Sequence, residues 1–160
     1  MNVNCHLIVG LGETDHDLVD MFYKLKSEEI AGYLFSFNPE PGTTLQHQKR
    51  QPIKRHRRVQ LAKYLIEEKN VDRDAFQFDD NGFISSIASE EELIQNTIDE
   101  GLPFMTNGCP DRDGIMACNR PYGSYRPGEE YRDYPFKPTG DELNVIREQM
   151  QLNGAIGNPV

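Results

Sequence analysis

Three groups of residues in this 160-residue chain have the types and spacing to do chemistry. The first is Ile8-Val9-Gly10-Leu11-Gly12-Glu13, where two glycines follow an apolar run. Glycines there let bare backbone approach a bound molecule, because no Cβ stands in the way. Glu13 then falls at a strand-to-helix turn, next to the free N–H groups of a helix start. The second group is Asn38-Pro39-Glu40-Pro41-Gly42-Thr43, a loop that continues as neither strand nor helix. The third is the pair Cys109 and Cys118 in an Arg-, Pro- and Gly-rich stretch. Thiolates suit zinc or iron–sulfur clusters, and neighbouring arginines favour the anionic form.

The elements around these groups alternate. An apolar strand over residues 3–9 feeds a helix over 14–29, with Thr14 and Asp17 as a capping box and Leu18, Met21, Phe22 and Leu25 on one face. A second strand, 32–38, ends at the Asn-Pro loop. Pro52 opens a helix to Asn70 that buries Leu61, Ala62, Leu65 and Ile66. Residues 76–78 and 83–87 flank Asp79-Asp80-Asn81-Gly82, whose Asn-Gly pair suits a hairpin turn. Ser89 and Glu92 read as a second capping box, before a helix through Ile94 and Ile98 that stops at Gly101. A last strand is expected over Pro103–Thr106, then an irregular segment over 107–138. A closing helix follows, capped by Thr139 and Glu142 and carrying Leu143, Ile146 and Met150, with a frayed tail. Strands alternating with helices predict an α/β fold with a parallel sheet and right-handed crossovers. The three stretches are 1–106, 107–138 and 139–160.

Composition excludes several classes. A net charge of −9 argues against a duplex nucleic-acid binder. No apolar run is long enough to span a membrane, and the N-terminus carries no secretory pattern. Three cysteines at wide spacing do not make a disulfide framework, so a reduced, cytoplasmic protein is expected. Cys5 reads as strand filler on the opposite face from Asn4. The four histidines form no i, i+4 pair. The basic cluster Lys54-Arg55-His56-Arg57-Arg58 reads as a solvated helix face, or as a contact for an acidic carrier domain.

The first two groups together resemble the fifth and sixth strands of a radical S-adenosylmethionine (SAM) barrel. The first matches the family's G-x-I-x-G-x-x-E strand at Ile8, Gly10 and Glu13, with His6 in place of the leading glycine. The segment Gly108-Cys109-Pro110 to Cys118-Asn119-Arg120-Pro121-Tyr122 resembles the C-terminal loop of family members related to biotin synthase and the archaeal-type lipoyl synthases. Residues 112–116 are an added stretch relative to that pattern. The resemblance implies half of a (β/α)8 TIM-like barrel, about four β-α units, with an irregular Cys-containing loop and a final helix. It implies SAM binding by Ile8, Gly10, Gly12, Glu13, Asn38, Pro39, Gly42 and Thr43. Cys109 and Cys118 would be metal ligands of an auxiliary [4Fe–4S] cluster, with Asn119, Arg120 and Tyr122 facing the substrate. The implied chemistry is reductive cleavage of SAM, hydrogen abstraction from an unactivated carbon, and sulfur insertion. The family's C-x3-C-x2-C triplet for the radical cluster is absent from this sequence. The chain is therefore expected to be inactive alone: a split subunit, a truncation or a fragment. It would pair with an N-terminal half-barrel or partner subunit, or self-associate, and act on an acyl-carrier-type protein. Two rivals stand beside this reading. One is a non-catalytic metal-binding or regulatory half-barrel that pairs with a partner chain. The other is a small β/α enzyme using Glu13 as a base.

Overall fold

The structure is a computed structural model that describes residues 3–106, 108–110, 116–118 and 130–150, with 109–110 and 116–118 as backbone only. In chain order the elements are β1 (Asn4–Val9), α1 (Asp15–Ser27), β2 (Ala31–Ser36), α2 (Ile53–Glu67), β3 (Phe76–Phe78), β4 (Ile84–Ile87), α3 (Glu91–Glu100), β5 (Cys109–Pro110), β6 (Met116–Cys118) and α4 (Gly140–Met150). Short 3-10 turns occupy Arg73–Ala75 and Leu102–Phe104.

The first β-α-β unit forms as its sequence pattern dictates. β1 and β2 pair in parallel, in register from Asn4↔Ala31 to Val9↔Ser36. Between them α1 starts on a complete capping box, Thr14 with Asp17. One face of the pair turns to the helices, where Val9, Leu34 and Ser36 are buried. Gly32 lies on that face, and a Cβ there would be in ordinary contact with Leu25 of α1 and Lys63 and Glu67 of α2. Cys5 lies on that face too, half-buried rather than enclosed, and its thiol is free. The core then extends through Phe22, Leu61, Leu65, Ile66, Ile94, Ile98, Phe104, Ile146 and Met150. Each such side chain contributes about 1.5–3 kcal/mol by leaving water.

The remaining units depart from a half-barrel. Residues 76–78 and 84–87 form an antiparallel hairpin, as the Asn-Gly pair suggests, where a half-barrel would continue the parallel sheet. Asn81 and Gly82 make its turn, with Gly82 at φ +77°. The strand expected over Pro103–Thr106 is instead a 3-10 turn at Leu102–Phe104, since Pro103 has no N–H to give a ladder. After that turn Met105 makes one parallel bridge to Tyr134, closed by Thr106 N to Tyr134 O (2.9 Å) and Tyr134 N to Phe104 O (2.8 Å). Among the described residues every sheet has two strands, so a four-stranded parallel sheet is not present. α3 begins one residue later than expected. Its N-cap is Glu90, without a side-chain bond, so Ser89 caps nothing. The box at Thr139 and Glu142 does form, ahead of α4. The frayed tail expected after Asn153 lies outside the described residues. No helix among the described residues is long and apolar enough to cross a membrane.

The hairpin turn leans on the start of α1. His16 N donates to Gly82 O at 3.0 Å, and a Cβ on Gly82 would sit 2.9 Å from Thr14 Cβ. Gly82→Ala combines a left-handed φ with that overlap, so it is expected to cost about 2 kcal/mol. Urea denaturation reads this as a lower midpoint; an unchanged midpoint would show that the turn relaxes freely.

Candidate functional site

The ends of β1 and β2 lie side by side, and Phe37 N donates to Val9 O at 2.8 Å as the ladder runs out. Gly10 therefore stands beside Phe37 at one rim. A Cβ on Gly10 would be 3.3 Å from Phe37 Cβ and 3.6 Å from Gln51 Cβ. Gly10 and Gly12 take φ +111° and +120°, a region that L-residues rarely adopt. Gly12 and Gly42 have nothing within 4 Å of a Cβ position, so both leave backbone open to an approaching molecule. Ile8 is 50% exposed on the face away from the helices.

Glu13 closes this rim turn. Its Oε1 accepts from Gly10 N and its Oε2 from Leu11 N, both at 2.8 Å. Arg55 completes the arrangement, donating from Nη2 to Glu13 O (2.8 Å) and Glu13 Oε1 (2.9 Å). The same guanidinium bonds Asp15 through Nε at 2.8 Å, while Asp15 Oδ2 takes the N–H of Ile84. Both carboxylate oxygens of Glu13 are thus engaged by the chain's own donors, which favours a turn-forming role over that of a base. Glu13→Gln must turn its amide NH2 toward at least one donor, Leu11 N in the better orientation, and removes the charge facing Arg55. A loss of about 1–2 kcal/mol is expected. Thermal melting checks this, and a Tm equal to that of the parent chain would refute it.

On the β2 side, Phe37, Asn38, Glu40, Thr43, Thr44 and Leu45 line a cleft of about 470 Å³. That lies within the size range of small-molecule sites. The loop holds itself open by local bonds: Asn38 Nδ2 to Ser36 O (3.3 Å), Gly42 N to Gln46 Oε1 (3.0 Å) and Thr43 Oγ1 to Glu40 O (2.8 Å). Across the rim, Gln48 Nε2 donates to Gly10 O at 2.6 Å. The structure therefore brings Gly10, Gly12, Glu13, Asn38 and Thr43 to one end of the parallel pair. The exposed sheet face carries His6, whose ring lies 5.5 Å from Tyr33 and 5.1 Å from Phe35.

Cys109 and Cys118 are opposite each other in the β5–β6 ladder. The two cysteine backbones are thus brought together. Asn119, Arg120 and Tyr122 lie outside the described residues. Among the described residues no group of three His, Cys, Asp or Glu could hold a metal ion.

The basic cluster is where the reading of a solvated helix face fails. Arg55 is mostly covered by its partners, and His56 and Arg57 are fully buried. Arg57 donates to Tyr131 O and Arg132 O (both 2.5 Å), to Gln60 Oε1 (2.9 Å) and to Gln149 Oε1 (2.9 Å). Its guanidinium also stacks 5.3 Å from the Tyr134 ring centre and 5.7 Å from that of Phe104. Gln60 Nε2 reinforces the same segment at Arg132 O and Asp133 Oδ1. Burial lowers the pKa of Arg57, and pushes that of Arg132 down to about 10. A signal for this burial was present in the spacing. Arg57 precedes Leu61 by four residues and Leu65 by eight, so it continues the apolar stripe of α2.

His56 has its Nδ1 3.1 Å from Gln51 Nε2, and its Nε2 3.7 Å from Asp133 Oδ2. With the Gln51 amide donating to Nδ1, the ring proton sits on Nε2, facing the Asp133 carboxylate. Burial holds the His56 pKa below its ordinary value, against the opposing pull of Asp133.

No family model, no curated protein and no solved structure matches this chain.

Proposed function

We propose that this chain is the C-terminal portion of a radical SAM enzyme similar to biotin and lipoyl synthases, acting in the cytoplasm. It contributes one lip of the SAM site and two cysteine ligands toward an auxiliary iron–sulfur cluster. The observation that supports this best is the in-register parallel pair β1–β2, with Gly10 and the Asn38–Thr43 cleft at the same end. In β/α architectures that end of the strands is where ligands bind. Bare backbone at Gly12 and Gly42, beside the Gly10 turn and the apolar wall of Phe37 and Leu45, suits an adenosine moiety. Two thiolates supply half of a four-thiolate set, so Cys109 and Cys118 fit as part of a cluster's ligands and require others from elsewhere. SAM, with its own cluster, supplies radical C–H activation when bound; the residues here position and shield it. Asn119, Arg120 and Tyr122 follow the second cysteine and are assigned to the substrate side. The missing half-barrel or partner subunit would supply the radical cluster, and an acyl-carrier-type protein would present the substrate.

The exposed face of Asn4, His6 and Ile8 also favours the second reading, a non-catalytic metal-binding or regulatory chain covered by a partner chain. Titration of the full chain with SAM, followed by amide NMR, separates the two. Shifts confined to Gly10–Glu13 and Phe37–Leu45 are expected. No shifts, or shifts spread elsewhere, would overturn the SAM assignment. Anaerobic reconstitution with iron and sulfide tests the cysteines: a visible charge-transfer band lost in Cys109→Ser and Cys118→Ser supports ligation.

A further inference from the structure

Segment 130–134 returns along α2 and reaches the rim through one side chain. Arg132 is 5% exposed, and its Nη2 donates to Gln51 O at 2.8 Å. Gln51 is itself buried, and its Cβ lies 3.6 Å from where a Cβ on Gly10 would stand. Gln48, three residues earlier, holds Gly10 O. Residues 48–51 are thus the wall behind the Gly10 turn, and Arg132 is tied to that wall. Arg132 is in turn held by its own carbonyl, which accepts from both Arg57 Nη1 and Gln60 Nε2.

We propose that Arg132 is a positioning residue for the Gly10–Gly12 rim: clamped to α2, it fixes the carbonyl of Gln51 and through it the backbone that faces the ligand. The ligand being SAM rests on the reading under Proposed function; the clamp itself does not. A purely space-filling arginine would be an odd choice here. Its Nε and Nη1 are buried with no partner among the described residues, a cost that an apolar side chain would avoid. Among the described residues, its guanidinium's hydrogen bond is the one to the rim wall, at Gln51 O.

That asymmetry makes the test clean. Arg132→Met removes the Gln51 bond together with two donors that have no partner among the described residues, so the fold is expected to survive it. Arg132→Lys keeps a cation and one donor, and serves as the conservative rescue. In the full chain, amide exchange by NMR reads Gly10 and Leu11, whose N–H groups are bonded to Glu13. Arg132→Met is expected to speed exchange at these two amides at least tenfold, with α1 and α3 unchanged, and Arg132→Lys only two- to threefold. The Kd for SAM is expected to rise at least tenfold in Arg132→Met and to recover in Arg132→Lys. Exchange at Gly10 and Leu11 equal to the parent overturns the proposal, as does acceleration spread evenly over α1 and α3. If the parent chain binds no SAM while Arg132→Met still loosens Gly10 and Leu11, the clamp stands and the SAM reading falls. Should Arg132→Met fail to fold, Arg132→Lys decides: its weaker, single-donor bond must speed exchange at Gly10 and Leu11 selectively, and no change defeats the clamp.

Discussion

Arg57→Met is expected to lower the free energy of unfolding by about 3 kcal/mol. The guanidinium satisfies four acceptors at once: Tyr131 O, Arg132 O, Gln60 Oε1 and Gln149 Oε1. Methionine fills the space and bonds none of them; Arg132 O keeps its bond from Gln60 Nε2, and the other three lose this donor. Each buried acceptor left bare costs about 1–3 kcal/mol, partly offset because a desolvated cation is also removed. The contacts over Tyr134 and Phe104 add about 1 kcal/mol to the loss. Against a total stability of about 5–15 kcal/mol for a domain, that is a large share. Urea unfolding is the measurement, and a double-mutant cycle with Gln60→Leu gives the coupling, since both residues bond Arg132 O. A midpoint equal to the parent's would mean that segment 130–134 is held by packing alone.

The second large effect is in pH. His56 is fully buried, with its folded-state pKa held below the ordinary value of 6.5 by burial. Gln51, Asp133, Arg57 and Arg132 surround it; Asp133 opposes the shift, and both arginines add to it. The sign follows from proton counting. Below pH 6.5 the unfolded chain takes up a proton on this ring that the folded chain refuses. Stability from this group is therefore full above pH 6.5. It falls as pH drops, by about 1.4 kcal/mol per pH unit, until the folded-state pKa is reached. Carboxylates elsewhere also titrate in acid, so the difference between parent and His56→Gln isolates the ring. The parent is expected to lose more stability than His56→Gln between about pH 7 and pH 5. Parallel stability curves for the two proteins would falsify the assignment of a neutral buried imidazole.

Much of the local structure could be read from residue order. Thr14 with Asp17 and Thr139 with Glu142 mark helix starts because a hydroxyl and a carboxylate three residues apart satisfy free N–H groups without help from the rest of the fold. Gly101 ends α3 because it alone accepts φ +71° cheaply. Asn81-Gly82 turns the chain for the same reason. The β1–β2 unit and the rim at Gly10 follow from two apolar runs flanking an amphipathic helix, which bury their helix-facing side only when paired in parallel.

Interactions far apart in sequence were decided by the tertiary structure. Ser89 and Glu92 have the spacing of a capping box, yet the helix starts at Glu91, since a cap forms only where the backbone turns. Pro103–Thr106 has strand-like composition, yet Pro103 withholds a donor and the segment curls into a 3-10 turn before its one bridge to Tyr134. The cluster at 54–58 shows the limit most plainly. Charge in a sequence reads as surface because burying an unpaired cation is costly. What makes Arg57 and His56 interior are carbonyls and side chains far along the chain, at Tyr131, Arg132 and Asp133. Local pattern dictates where helices and turns begin; only the folded chain decides which charges find enough partners to leave water.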